Sequence, residues 1–195
     1  MNYAITIITS LTMLIGAVVL LLASITLIKR QKKLLNSIIL VEFKSVKAHF
    51  IVGLVVTIVL ILATILAVSG VFNIEEQLLY SQYGIYGWQF NLIFITLLFL
   101  LLTVLMLLIV LTLAKSAIVD KGIYTVLKFL DWYHVHDYII DENKGLVLLS
   151  ASKNTFNTLR GTTPPLRVSK QDIPKLKFIL DKNKNKFSKE NNWQN

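Results

Sequence analysis

Cysteine does not occur in the 195 residues. Disulfides, thiolate nucleophiles, cysteine-ligated zinc and iron–sulfur clusters are thereby excluded. Charge is scarce as well. Charged residues make up 16% of the chain and hydrophobic ones 55%, against about 25% and about 45–50% in soluble domains. This balance points to a bilayer as the solvent for much of the chain. No Lys or Arg lies between Ala48 and Ala114, and no charged residue falls inside any of the long apolar runs. Pumps and coupled transporters use ionisable groups at membrane depth, so an autonomous transporter is not expected. Phosphate-binding glycine loops, Gly-x-Ser-x-Gly, His-Glu-x-x-His and kinase-type motifs are missing, as is any internal repeat. The expectation is therefore no enzyme and no cofactor.

What the chain does have is three uncharged apolar runs, Ala4–Ile28, Phe50–Phe72 and Phe90–Ala114. Each is long enough to span a bilayer as a helix. The first is too long for a signal peptide, carries its basic flank on the carboxy side and has no Ala-x-Ala cleavage pattern. It reads as a retained span. Six Lys and Arg lie in the segment 29–49 and fourteen from Lys115 onward, while the segment 73–89 carries Glu75 and Glu76 and no base. Short basic loops stay in the cytoplasm. The reading is a multi-pass protein of the cell (plasma) membrane, amino terminus outside and carboxy terminus cytoplasmic. Residues 1–118 form the transmembrane region, with 73–89 external.

Within the cytoplasmic loop, Leu35, Ile39, Phe43 and Val46 recur at the spacing of one helical face. Two readings stay open: an interfacial helix lying among head groups, or a continuation of the first helix that packs on the soluble domain. Externally, Tyr80, Tyr83, Tyr86 and Trp88 suit a head-group belt better than a ligand site. Within the spans Thr57, Thr64, Ser69, Thr96 and Thr103 need no function, because such hydroxyls can bond the backbone one turn back.

From Gly122 the periodicity becomes strand-like. Tyr124–Leu130, Tyr133–Ile140, Leu146–Ala151 and Leu166–Ser169 read as strands, with Asp141-Glu142-Asn143-Lys144-Gly145 as a hairpin turn. Asp172 reads as a helix N-cap, Pro174 sits in the first turn, and Ile173, Leu176, Ile179 and Leu180 form one apolar face. The fold class is membrane α-helical plus a small α+β domain over 119–182, of about four strands and a terminal helix. The Lys- and Asn-rich stretch 183–195 reads as a disordered basic tail. Gly122-Ile123, Trp132, the Asn143-Lys144-Gly145 hairpin, Leu166-Arg167-Val168 and Asp172–Leu180 together resemble the pleckstrin-homology-like cytoplasmic domains of small uncharacterised Gram-positive membrane proteins. The resemblance covers about the last third of the chain. It implies no specific activity. Such a domain has about seven strands, so four leave room for a half-domain completed by a second copy.

Candidate chemistry is sparse. His134 and His136 share a strand face, but His-x-His without a third ligand is more simply a solvated pair. The loop Thr158–Thr163 with Arg160 is more simply a surface loop. His49 reads as interfacial. The carboxy domain carries fourteen bases against eight acids, scattered and without a nucleic-acid-binding motif. A basic domain under an anionic leaflet accounts for this without nucleic acid. The candidate lipid contacts are Lys29, Arg30, Lys32, Lys33, Lys44, Lys47 and Lys115. The functional expectation is a non-enzymatic interaction, regulatory or accessory subunit, immunity-type in one version. Its partners would be the bilayer and a membrane protein or further copies of itself. The alternative is a component of a transporter or channel complex.

Overall fold

The computed structural model describes residues 3–44, 47–71, 86–126, 128–132, 135–151 and 165–191. The chain divides into two compact units, Met1–Ile28 with Lys47–Leu113, and Lys29–Val46 with Ala114–Asn195.

The first unit is helical. Helices α1 (Tyr3–Leu35), α2 (Ala48–Val71) and α3 (Gly87–Leu113) cover the three apolar runs, and all are long and apolar enough to cross a membrane. Their outward faces stay apolar: Ile95, Leu66 and Leu113 are 63%, 70% and 70% exposed. Helices that are hydrophobic all round require apolar surroundings. Inward positions differ in kind. On α1 they are Thr6, Ser10, Ala17, Ser24 and Leu27, and on α3 Gln89, Thr96 and Thr103. The three on α3 recur every seven residues, as does the set Ser10, Ala17 and Ser24 on α1, the repeat of a coiled-coil-like seam. Small side chains let the helices approach closely. Helix α3 packs along α2 and meets α1 where Gln89 Nε2 donates to Thr6 Oγ1 at 3.1 Å and Thr96 Oγ1 lies 3.8 Å from Met13 Sδ. The hydroxyls behave as expected: Thr57, Thr64, Thr96 and Thr103 bond carbonyls of Gly53, Leu60, Leu92 and Leu100. The side chain of Ser69 lies outside the described part. Helix α3 starts earlier than the run beginning at Phe90. Gln89, assigned above to the external segment, is fully buried within it because its amide is satisfied by Thr6 and by the Tyr86 N–H.

The second unit contains two antiparallel sheets. The first has the order β1 (Ile39–Phe43), β2 (Ser116–Val119), β3 (Gly122–Tyr124), β4 (Phe129–Asp131); the second β5 (Val135–Asp141), β6 (Leu146–Ala151), β7 (Leu166–Arg167). A 3-10 turn (Lys170–Asp172) leads into α4 (Ile173–Asn191). Among the described residues seven strands come from this chain, where about four were expected.

The difference has three sources. Ser116–Val119, inside the segment 1–118 assigned above to the transmembrane region, is a strand. Ile39–Phe43 is a strand, not part of a helical face. Helix α1 does continue past its apolar run, but it stops at Leu35. From there Val41 and Phe43 turn inward and Glu42 outward, a period of two that pairs in register with Ile118, Ala117 and Ser116. The expected strand Tyr124–Leu130 is divided by a turn in which Thr125 N–H donates to Lys128 O at 2.8 Å and Lys128 N–H to Thr125 Oγ1 at 3.0 Å. The strand-containing unit is accordingly wider than 119–182. At its far end α4 runs to Asn191, into the stretch read as a disordered tail. Lys and Glu are good helix formers.

One core joins both sheets and α4: Val41, Phe43, Ile118, Ile123, Leu130, Trp132, Val147, Leu149, Val168 and the α4 face Ile173, Leu176, Ile179 and Leu180. The outer face of the first sheet is covered too. Leu34, fully buried, packs with Ala117, Val119 and Tyr124. This explains why all four residues of β2 are buried. The sheets are linked at one end, where Lys44 N–H donates to Arg167 O at 2.6 Å. The first sheet's edge strand is thus closed onto the second sheet.

Candidate functional site

The predicted basic residues gather around the end of α1 and the first residues of the strand unit. Lys29, Lys32 and Lys33 are exposed on the last two turns of α1, and Arg30 is half-buried. Lys32 and Lys33 occupy the last turn, where cations also favour the negative end of the helix dipole. Lys115, immediately before β2, is held from two sides. Its ammonium group is 3.1 Å from Glu42 Oε1. Its backbone exchanges two bonds with the Gln31 amide, N–H to Oε1 at 3.0 Å and Nε2 to the carbonyl at 3.1 Å. Gln31 thus acts as a substitute strand residue. It fixes the end of α1 to the start of β2. Lys44 follows β1, exposed, and is opposed by Arg167 of β7. Lys47 belongs to the helical unit, where its carbonyl accepts the Ile51 N–H at 3.1 Å.

Sequence reasoning gave Gln31, Glu42 and Arg167 no role in the site. Gln31 is the one uncharged residue inside the Lys29–Lys33 cluster, which is a signal in hindsight. Arg167 gave none, because its role depends on a strand more than a hundred positions away.

The rest of the second unit is tied by polar contacts to α4. Lys177 pairs with Glu142 on the β5–β6 turn, and the Tyr138 hydroxyl donates to Asp181. The Asp181 carboxylate holds the Tyr138 phenol protonated, pushing its pKa up to about 12. Trp132 Nε1–H donates to Asp120 O at 2.9 Å, joining the end of β4 to the β2–β3 turn. In the helical unit, the rings of Tyr86 and Trp88 each stack on Tyr3, with centroids 5.8 and 5.7 Å apart. Tyr80 and Tyr83 lie outside the described residues.

His134, Arg160 and the loop Thr158–Thr163 also lie outside the described residues; His136 falls on β5. Among the described residues no three His, Asp or Glu side chains assemble into a metal-binding group. In comparisons with known proteins, no family model, no curated protein and no solved structure matches the chain.

Proposed function

We propose that the chain is a non-enzymatic multi-pass protein of the plasma membrane, with its amino terminus outside and its strand domain in the cytoplasm. It acts as an interaction, regulatory or accessory subunit. The observation that carries this reading is the pairing of β1 with β2, Val41 opposite Ile118, across the two apolar helices that separate them in sequence. Strands that pair lie on one side of a bilayer, which supports a reading in which α2 and α3 cross it and return. The distribution of Lys and Arg favours the cytoplasm for that side. Four strands, three strands and a terminal helix around one core support the pleckstrin-homology-like reading of the domain. The exposed Lys29, Lys32 and Lys33, one to five residues past an apolar run, are placed to meet anionic head groups, each worth about 1 kcal/mol near the surface. The outward apolar helix faces are available to lipid, to a partner's helices or to another copy.

A reporter fused after Asn195 is expected to be active only in the cytoplasm; external activity would overturn the topology. The lipid role is tested on the purified full chain by native mass spectrometry. Phosphatidylglycerol should be retained over phosphatidylcholine, and the K29Q/K32Q/K33Q variant should lose that preference. Equal retention by both proteins would remove these residues from the proposal. Solute or ion flux through proteoliposomes holding this chain alone would replace the accessory role with a transport one.

A further inference from the structure

Lys44 and Arg167 meet at the link between the two sheets. The bridge is antiparallel, with the Lys44 amide on the Arg167 carbonyl at 2.6 Å. Their chain neighbours Phe43 and Leu166 pack in the core, so both basic side chains leave from the outer face, and both are exposed. Residues directly opposed on an antiparallel pair have Cβ atoms about 4.5–5.5 Å apart, and like charges there are destabilising. The closure point of the domain therefore carries two cations in register. The acids on that face are engaged elsewhere. Glu42, two residues before Lys44, holds Lys115 at 3.1 Å. Asp141, in the same cross-strand row through Leu146, holds Lys144 by its side chain at 3.8 Å and by its amide at 3.1 Å. Among the described residues, neither Lys44 nor Arg167 forms an ion pair.

We infer that Lys44 and Arg167 form a clasp for a phosphate group at the seam between the two sheets. A guanidinium fork takes two oxygens of a phosphate side by side, and an ammonium group adds a point charge at close range. A phosphate seated there offsets the repulsion across the bridge, so occupancy and closure of the seam are linked. The phosphate can belong to an anionic phospholipid or to a soluble phosphate compound. The lipid source rests on the membrane reading above; the soluble one does not.

The test uses the full chain in nanodiscs and follows hydrogen exchange of the Lys44 amide, which opens with the seam. In phosphatidylcholine discs, inorganic phosphate is titrated against sodium chloride at matched ionic strength. In a second arm, phosphatidylglycerol is added to the discs. Slower exchange with inorganic phosphate assigns a soluble ligand; slower exchange with phosphatidylglycerol alone assigns a head group. Either supports the clasp. K44Q and R167Q should each weaken the response roughly tenfold, and each should exchange more slowly than the native chain when no phosphate is present. R167K should keep a reduced response. An equal effect of chloride, no effect of either phosphate source, or an unchanged response in both neutral variants would overturn the clasp. The K29Q/K32Q/K33Q variant leaves Lys44 and Arg167 in place. It separates failure of the general lipid reading from failure of this site.

Discussion

Gly122 has φ +157°, and a Cβ there would lie 2.2 Å from the Leu130 carbonyl oxygen and 2.9 Å from the Phe129 ring. The obstruction on one side is backbone, so the β3–β4 pair would have to separate to admit a methyl group. Gly122→Ala should lower stability by about 2–4 kcal/mol, read from thermal unfolding of the purified chain in detergent. Gly145, at φ +62° with a Cβ position 2.7 Å from Val168 O, should also lose stability on the same substitution, because the left-handed conformation costs an L-residue about 1–2 kcal/mol and the carbonyl would have to move. Tyr138 gives a pH signature. Its phenol donates to Asp181, and its pKa is raised to about 12 from an ordinary value of about 10. A raised folded-state value means that the bond contributes fully below about pH 10 and is lost as pH climbs towards about 12. Tyrosinate absorbance should therefore show a most alkaline step in the native chain that disappears in Tyr138→Phe.

Elements were legible in the sequence where local pattern decides them. The apolar runs announce α1 to α3 by length. The Asp141–Gly145 turn announces the β5–β6 hairpin, realised with Asp141 opposite Leu146. The spacing of Ile173, Leu176, Ile179 and Leu180 announces α4, and all four are buried. Strand β1 was not legible. Four of its five residues pair with a partner across two helices, and its Ile39 and Phe43 happen to repeat with Leu35 and Val46 at helical intervals. The division between β3 and β4 was hidden because its turn uses the Thr125 hydroxyl instead of Gly or Pro. For the candidate site the same limit applies: the bases could be read, but their pairing with Gln31, Glu42 and each other is tertiary. A fragment 115–195 lacks β1 and Leu34 and leaves β2 bare on an edge and a face. It should give a collapsed amide NMR spectrum. Joining 29–44 by a flexible linker to 114–195 should restore dispersion. In the helical unit, a Thr6→Val and Gln89→Leu double-mutant cycle should report a coupling of about 0.6 kcal/mol, typical of membrane helix pairs, that fixes the register of α1 against α3.

At the scale of the whole molecule, the chain passes three times between its helical and strand-containing units, and both sheets close on a single core. Among the described residues, the strand-containing unit draws seven strands from this one chain. On the membrane reading, parity governs the arrangement: an even number of crossings must separate β1 from β2. Deleting α2 should leave them on opposite sides, and limited proteolysis should then cleave within β2–β6, which the native chain protects. This arrangement also sets an order of events during synthesis. Strand β1 leaves the ribosome roughly seventy residues before β2, a delay on the order of 4–15 s at about 5–20 residues per second. During that time its edge is unpaired and its Val41 and Phe43 are uncovered. Only when α3 has been delivered in the correct direction does β2 arrive to claim it. On the membrane reading, domain formation would serve as a built-in inspection of insertion: a misinserted chain would keep an open strand, which protein quality control can recognise.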